Sequence, residues 1–165
     1  MTQQLIIRIM ADYAIIPVLL IGAYALVLKI PKGQRLQSYS RILMAGLTAY
    51  FIAKMVGSIF QPTDERPFEL LGKAAGASFL NNPGFPSDHT LLVTAIVYAV
   101  WFETRQKVLT LILVGLLVII CVGRVLALVH TPMDVVGGII IASVGVVWYL
   151  NGKVNTTKLS LRKRQ

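Results

Sequence analysis

One cysteine, Cys121, is all that the 165 residues contain. That excludes an intrachain disulfide framework and a cysteine-based metal cluster, and its neighbours Ile119, Ile120 and Val122 mark it as a packing position. Charge is scarce as well: 14% of the residues are Asp, Glu, Lys or Arg, against about 25% in an ordinary soluble domain. Acids are the scarcer sign, seven against sixteen bases. A chain this apolar, 56% hydrophobic with a mean hydropathy of +0.72, is not disordered, because disorder needs low hydrophobicity and high charge. A pI near 10.0 would suit a nucleic-acid partner, but a soluble nucleic-acid binder needs a polar surface as well as a basic one. No stretch alternates with a period of two, which disfavours a transmembrane β-barrel, and there is no internal repeat or low-complexity tract. What is left is a small integral membrane protein whose charge of +9 reports orientation.

Five apolar stretches run through Tyr13–Ile30, Ile42–Phe60, His89–Phe102, Val108–Val129 and Val135–Leu150. A spanning helix needs about 20 residues, so the sequence predicts an all-α, polytopic bundle of five transmembrane helices. The third and fifth runs are short, and N-caps at Ser87 and Thr131 would extend them. Thr131 is followed by Pro132 at the first helical position and Asp134 at the third. The longest connection, Gln61–Pro86, is polar and carries Pro and Gly, the character of a functional loop. Residues 1–150 read as one membrane domain and 151–165 as a basic cytoplasmic tail. Trp101, Trp148 and Tyr149 lie near helix ends, as interfacial anchors do. Gly138, Ala142 and Gly145 form a stripe for close helix packing within the monomer.

The bases divide unevenly between the two ends of such a bundle. Eleven fall on the side of Lys29, Lys32, Arg35, Arg41, Arg105, Lys107 and the tail; five, Arg8, Lys54, Arg66, Lys73 and Arg124, fall on the other. Six of the seven acids lie on the second side, so the nets are +10 and −1. Basic loops stay in the cytoplasm, which puts the N-terminus outside and the C-terminus inside. Ala23-Tyr24-Ala25 has the form of a signal-peptidase site, but the positive charges follow the apolar run, whereas a signal peptide has them in front.

On the acidic side the ionisable residues gather in three places: Lys54 through Arg66-Pro67; Pro86-Ser87-Asp88-His89; and Gly123-Arg124, followed at fixed spacing by His130 and Asp134. Ionisable groups at membrane depth are costly and tend to mark function. Lys54, Arg66 and Arg124 could neutralise an oxyanion, arginine offering bidentate donors to phosphate. Helix starts near Ser87 and Thr131 would add free N–H groups. His130 and Asp134, four apart, share a helical face, and the carboxylate would fix the imidazole's tautomer. A neutral His130 could attack phosphorus, and His89 could protonate the leaving oxygen. Taken singly, each has a plainer reading: a helix-capping ion pair for His130 with Asp134, an interfacial anchor for Arg66, a solvated loop for Asp64, Glu65 and Glu69.

The three clusters together resemble the signature of the type 2 phosphatidic acid phosphatase (PAP2) superfamily of membrane lipid phosphatases. That pattern is Lys, six residues, Arg-Pro; Pro-Ser-Gly-His; and Ser-Arg, five residues, His, three residues, Asp. Here Gly123 replaces the Ser of the third motif, Asp88 occupies the glycine position of the second, and eleven residues rather than six separate Lys54 from Arg66. If the longer spacing removed Lys54 from the site, Lys73 would be the nearest replacement; a helix ending near Phe60 with a loop folding back would keep it there. The Pro-Ser-Asp-His variant and the stretched first motif are similar to those of BcrC-type undecaprenyl pyrophosphate phosphatases.

The resemblance implies a PAP2-like core and catalysis without metal or cofactor. His130 would be the nucleophile, Asp134 its orienting partner and His89 the general acid. Arg66, Arg124, Ser87 and Lys54 would bind phosphate. The implied partners are the bilayer and a lipid (di)phosphate, with no nucleic acid and with oligomeric state left open. Undecaprenyl pyrophosphate at the outer face of a bacterial plasma membrane is the expected substrate. Phosphatidylglycerol phosphate or another lipid phosphate is the alternative, and transfer to an acceptor other than water shares the same first step. A non-catalytic lipid-phosphate binder or transporter is the rival from another class.

Overall fold

The computed structural model describes residues 2–63, 65–80 and 84–150. Six helices carry them: α1 (Thr2–Leu28), α2 (Arg35–Ile59), a short α3 (Pro67–Leu70), α4 (Asp88–Thr104), α5 (Lys107–Leu126) and α6 (Pro132–Val144). A turn at residues 145–146 leads α6 into a last helical turn ending at Leu150. Most helices begin earlier than their apolar runs, because the backbone stays helical into polar ends whose long side chains can reach water. α1 contains a π-turn, Ile9–Tyr13, closed by the Ala14 N–H donating to the Ile9 carbonyl at 2.9 Å. Pro17 accounts for its position: proline lacks the N–H that would bond the Tyr13 carbonyl four residues back, and its ring crowds that carbonyl.

Four helices are long and apolar enough to cross a membrane: Thr2–Leu28, Lys32–Ile59, Lys107–Leu126 and Pro132–Leu150. They mark an integral membrane protein. The expectation of five spans is thus corrected to four. The exception is α4, with 17 residues and a length of about 25 Å at 1.5 Å per residue. It packs against α1, α2, α5 and α6 and buries Thr90, Leu91, Val93, Thr94, Val97, Ala99, Val100 and Thr104. A helix surrounded by other helices needs no lipid-facing apolar surface, so it tolerates threonines and can be short. Thr104 returns its hydroxyl to the Val100 carbonyl at 2.7 Å.

Packing relies on small side chains, as expected where lipid competes for apolar surface. Ala45, Ala49 and Ala53 form a buried row on α2, while Leu36, Leu43, Leu47 and Phe51 on the same helix are exposed. A Cβ on Gly138 would lie 2.9 Å from the Ser87 carbonyl oxygen, and one on Gly145 would lie 2.8 Å from that of Ala45. The small-residue stripe of α6 therefore packs against α4 and α2 of the same chain.

The end of the bundle bearing Lys29, Lys32, Arg35, Arg105 and Lys107 is held by a bidentate pair, Arg41 to Glu103 at 2.7 and 2.6 Å. Trp148 Nε1 donates to Thr48 Oγ1 at 2.9 Å. Tyr149, expected as an interfacial anchor, is instead buried and stacks on Phe102 with centroids 5.1 Å apart. The basic tail predicted over 151–165 lies outside the described residues.

Candidate active site

The opposite end is built from the α2–α4 connection, the α5–α6 connection and the π-turn of α1. α2 stops at Ile59 and Phe60 turns extended, so the chain folds back as the Gln61-Pro62 pair suggests. Gln61 then holds Phe85 in place, its Oε1 accepting from the Phe85 N–H at 3.1 Å and its Nε2 donating to the Phe85 carbonyl at 3.1 Å. The Phe85 ring fills the space that a Cβ on Gly137 would need, its nearest atom 2.2 Å from that position. This clamp delivers Pro86-Ser87 to the start of α6, where the Ser87 N–H donates to the Asp134 carbonyl at 3.0 Å.

Thr131 caps α6 as its sequence predicts. Its Oγ1 accepts from the Asp134 N–H at 3.2 Å, and its own N–H donates to Asp134 Oδ2 at 2.7 Å, a reciprocal capping box. Ser87 holds the N-cap position of α4, but its side chain makes no capping bond; its Oγ accepts from Thr90 Oγ1 at 3.2 Å. Glu69, expected as a solvated loop charge, instead shapes the backbone at the start of α3, where its Oε2 accepts from the Arg66 N–H at 2.7 Å.

His130 and Asp134 are both buried, with Nδ1 3.5 Å from Oδ2. That is an electrostatic contact longer than a hydrogen bond, and His130 Nδ1 has no hydrogen-bond partner among the described residues. Burial holds the imidazole below the ordinary histidine pKa; the Asp134 carboxylate opposes this, and the Arg124 and Arg66 cations add to it. His130 is therefore neutral at neutral pH.

Both arginines are buried. Arg66 Nη1 donates to the Val129 carbonyl at 2.6 Å and Nη2 to the Leu80 carbonyl at 3.1 Å, with the guanidinium over the Phe79 ring. It stitches one connection to the other immediately before His130. Arg124 Nη1 donates to Asp12 Oδ1 at 3.1 Å and to the Ser78 carbonyl at 2.8 Å. His89, on the first turn of α4, lies within electrostatic reach of Arg124, Asp12, His130 and Asp88. Lys54 Nζ lies 3.1 Å from Asp88 Oδ1, so the eleven-residue spacing does not carry it away from the second motif. Lys73, its possible replacement, lines a separate cavity of about 330 Å³ with Gln4, Ile7 and Leu128.

The fold thus brings His130, Asp134, His89, Arg66, Arg124 and Ser87 to one end of the bundle, with Lys54 joined through Asp88. Sequence reasoning missed Asp12, Gln61 and Thr90 as members of this constellation. Pro17 was the available signal for the π-turn that carries Asp12; nothing local pointed to the other two.

Four membrane-length helices around a short central one, with two imidazoles, a carboxylate and buried guanidinium groups at one end, define a class: a helical membrane protein with a charged site held in an apolar scaffold. The model of the PAP2 superfamily matches residues 37–158, and the chain belongs to that superfamily. No curated protein and no solved structure matches it. Members of the superfamily are typically phosphatases, so membership points to lipid-phosphate phosphatase activity.

Proposed function

We propose that the protein hydrolyses undecaprenyl pyrophosphate to undecaprenyl phosphate and inorganic phosphate, without a metal, through a phosphohistidine on His130. The observation that carries this reading is the buried His130–Asp134 pair, 3.5 Å apart, with two buried arginines acting on the same imidazole. With Nδ1 turned to Asp134, Nε2 is the nucleophilic nitrogen. Nε2 attacks the terminal phosphorus and the bond to the bridging oxygen breaks. Burial and the nearby Arg124 push the His89 pKa down to about 4, so His89 gives that oxygen a proton once the substrate's phosphate charge has raised it. Water, deprotonated by His89, then attacks the phosphohistidine; the P–N bond breaks and inorganic phosphate leaves. Asp134 stabilises the imidazolium form passed through on the way. Arg66, Arg124, Ser87 and Lys54 bind phosphate oxygens, and preorganised cations in a low-dielectric site supply the charge stabilisation the reaction needs. Arg124 Nε is buried with no partner among the described residues, and a buried unpaired donor calls for an acceptor.

The BcrC-type reading rests on Pro86-Ser87-Asp88-His89 and on the stretched first motif, whose two unusual features meet in the Lys54–Asp88 pair. Residues 1–150 constitute the phosphatase domain and 151–165 a basic cytoplasmic tail. The positive-inside rule sets the site on the extracytoplasmic face of a bacterial plasma membrane, where the lipid's chain stays in the bilayer while its head group meets the site.

The deciding experiment is a phosphate-release panel on undecaprenyl pyrophosphate, phosphatidylglycerol phosphate and phosphatidic acid, with purified protein in excess EDTA and His130→Ala as control. Release from undecaprenyl pyrophosphate at the highest kcat/KM, unaffected by EDTA and absent in His130→Ala, is expected. Preference for another lipid would overturn the substrate; loss in EDTA, or full activity of His130→Ala, would overturn the mechanism.

A further inference from the structure

We infer that Asp12, on α1 and ahead of the residues that match the superfamily, is a positioning residue for Arg124. The inference rests on Arg124 being a phosphate-binding group, as proposed above. Arg124 is 2% exposed, and its Nη1 is shared between Asp12 Oδ1 at 3.1 Å and the Ser78 carbonyl at 2.8 Å. The second oxygen of Asp12 accepts from the Ser78 N–H at 2.9 Å. Asp12, Arg124 and Ser78 therefore close a ring of three hydrogen bonds that ties the first helix, the last turn of α5 and the α2–α4 connection together. Arg8, one turn back on α1, is the other cation at Asp12, with Nε 4.0 Å from Oδ2.

Two local features put the carboxylate there. The π-turn Ile9–Tyr13 widens α1 at this point, and π-turns inside α-helices are frequent at functional sites. Gly123, next to Arg124, removes the atom that would hold α1 away: a Cβ there would lie 2.6 Å from the Ala11 nitrogen and 2.7 Å from the Met10 carbonyl carbon. The superfamily pattern has Ser at this position. With Gly123 there instead, α1 comes close enough to the last turn of α5 for the Asp12 carboxylate to reach Arg124.

A carboxylate holding one edge of a guanidinium fixes the plane of the group and leaves the remaining edge for a substrate oxygen. Arg124 Nε, buried without a partner among the described residues, lies on that remaining edge. Orientation at this level matters, because misplacing a charge-stabilising group by about 1 Å can cost about 10²-fold in rate.

The test uses the full chain purified in detergent. Asp12→Asn keeps the shape but offers one acceptor oxygen where Asp12 uses two. It should lower kcat/KM on undecaprenyl pyrophosphate by about 10–100-fold, and Asp12→Glu, which keeps both acceptors, should recover part of the loss. In an Arg124→Gln background the same Asp12→Asn change should cost no more than about twofold, because residues acting as one unit are not additive. A loss that multiplies with Arg124→Gln, or no loss in Asp12→Asn alone, would overturn the inference and leave Asp12 as a strut between helices. Affinity for inorganic phosphate, read by thermal shift, makes the comparison independent of turnover. If wild-type protein binds phosphate but hydrolyses none of the lipids, the activity reading fails, and equal weakening by Asp12→Asn and Arg124→Gln still upholds the positioning role. If wild type does neither, both fall.

Discussion

Lys54 and Asp88 pair with each other across the site end of the bundle, Nζ to Oδ1 at 3.1 Å. Each is a departure from the superfamily pattern when read alone: a lysine too far from its arginine, and an acid where glycine is usual. Together they offset one another, the acid holding the displaced lysine at the start of α4, one residue from His89. Both side chains are partly open to solvent, 45% and 34% exposed, so the pair contributes about 0–1 kcal/mol to folding. Its consequence is local charge placement.

That relationship predicts an asymmetric double-mutant cycle. Lys54→Ala removes a cation and leaves the Asp88 carboxylate beside the substrate's phosphates, so KM should rise by about 10-fold or more, equivalent to about 1.4 kcal/mol. Lys54→Ala/Asp88→Ala removes the repulsion as well and should recover part of that loss. Thermal unfolding in detergent should move little in either variant. A double variant worse than Lys54→Ala would show that Asp88 serves the substrate through something other than the lysine.

The electrostatics of His130 predict a pH profile. The groups facing its imidazole are Asp134, Arg124 and Arg66, with His89 also in reach. Burial and the two arginines together outweigh the carboxylate, so the folded-state pKa is below the ordinary histidine value. The nucleophilic, neutral form therefore persists as pH falls, and the acid limb of kcat/KM should lie below about 6.5. Replacing Arg66 by Gln removes one of the depressing cations and should move that limb upward while lowering the rate. The same sign governs stability: this histidine's contribution is complete above about 6.5 and is lost as pH falls through the lower folded value. An acid limb above about 7 would contradict the assignment of His130 as the group that must be neutral.

Gly123 and Gly46 form a contrasting pair for thermal stability. A Cβ on Gly123 meets α1 backbone at 2.6 Å, whereas one on Gly46 meets nothing within 4 Å. Gly123→Ala should destabilise by about 1–3 kcal/mol through overpacking and should reproduce the kinetic loss of Asp12→Asn. Gly46→Ala, in mid-helix α2, should be stabilising by about 0.5–1 kcal/mol. Equal melting temperatures for the two would mean that α1 does not dock tightly at Gly123.

The proposed orientation can be read by labelling. Cysteines at Glu65, in the connection before α3, and at Gly33, in the turn before α2, lie toward opposite ends of the bundle. An impermeant thiol reagent applied to intact cells should modify Glu65→Cys and spare Gly33→Cys, with Cys121 replaced by Ser to remove background. The reverse pattern would invert the topology and place the site in the cytoplasm.

Local signals carried much of the architecture. The apolar runs were legible because a bilayer sets a minimum length for any spanning helix, and Thr131-Pro132 with Asp134 announced the start of α6 because capping is a matter of neighbouring residues. A shared helical face predicts the pairing of His130 with Asp134. The two do meet, 3.5 Å apart, but His130 sits in the bend before the Thr131 N-cap, outside α6. It is the Thr131–Asp134 capping box that turns the carboxylate back toward it. The expectation of a fifth span at α4 fails because an apolar run does not say whether lipid or protein surrounds it. The threonines on α4 were the trace of that burial.

What the sequence by itself determined is the membrane character, the starts of α4 at Ser87 and α6 at Thr131, the charge asymmetry between the two ends and the order and spacing of the three motifs. Tertiary structure alone decided which charges meet. Asp12 and Arg124 are 112 residues apart, and Lys54 and Asp88 are 34 apart. Such pairs depend on where a helix docks and how a connection folds back, through the missing Cβ of Gly123 and the Gln61 clamp on Phe85. Spacing along a helix turns the side-chain direction by about 100° per residue, but a contact between helices is set by packing, which no local pattern encodes.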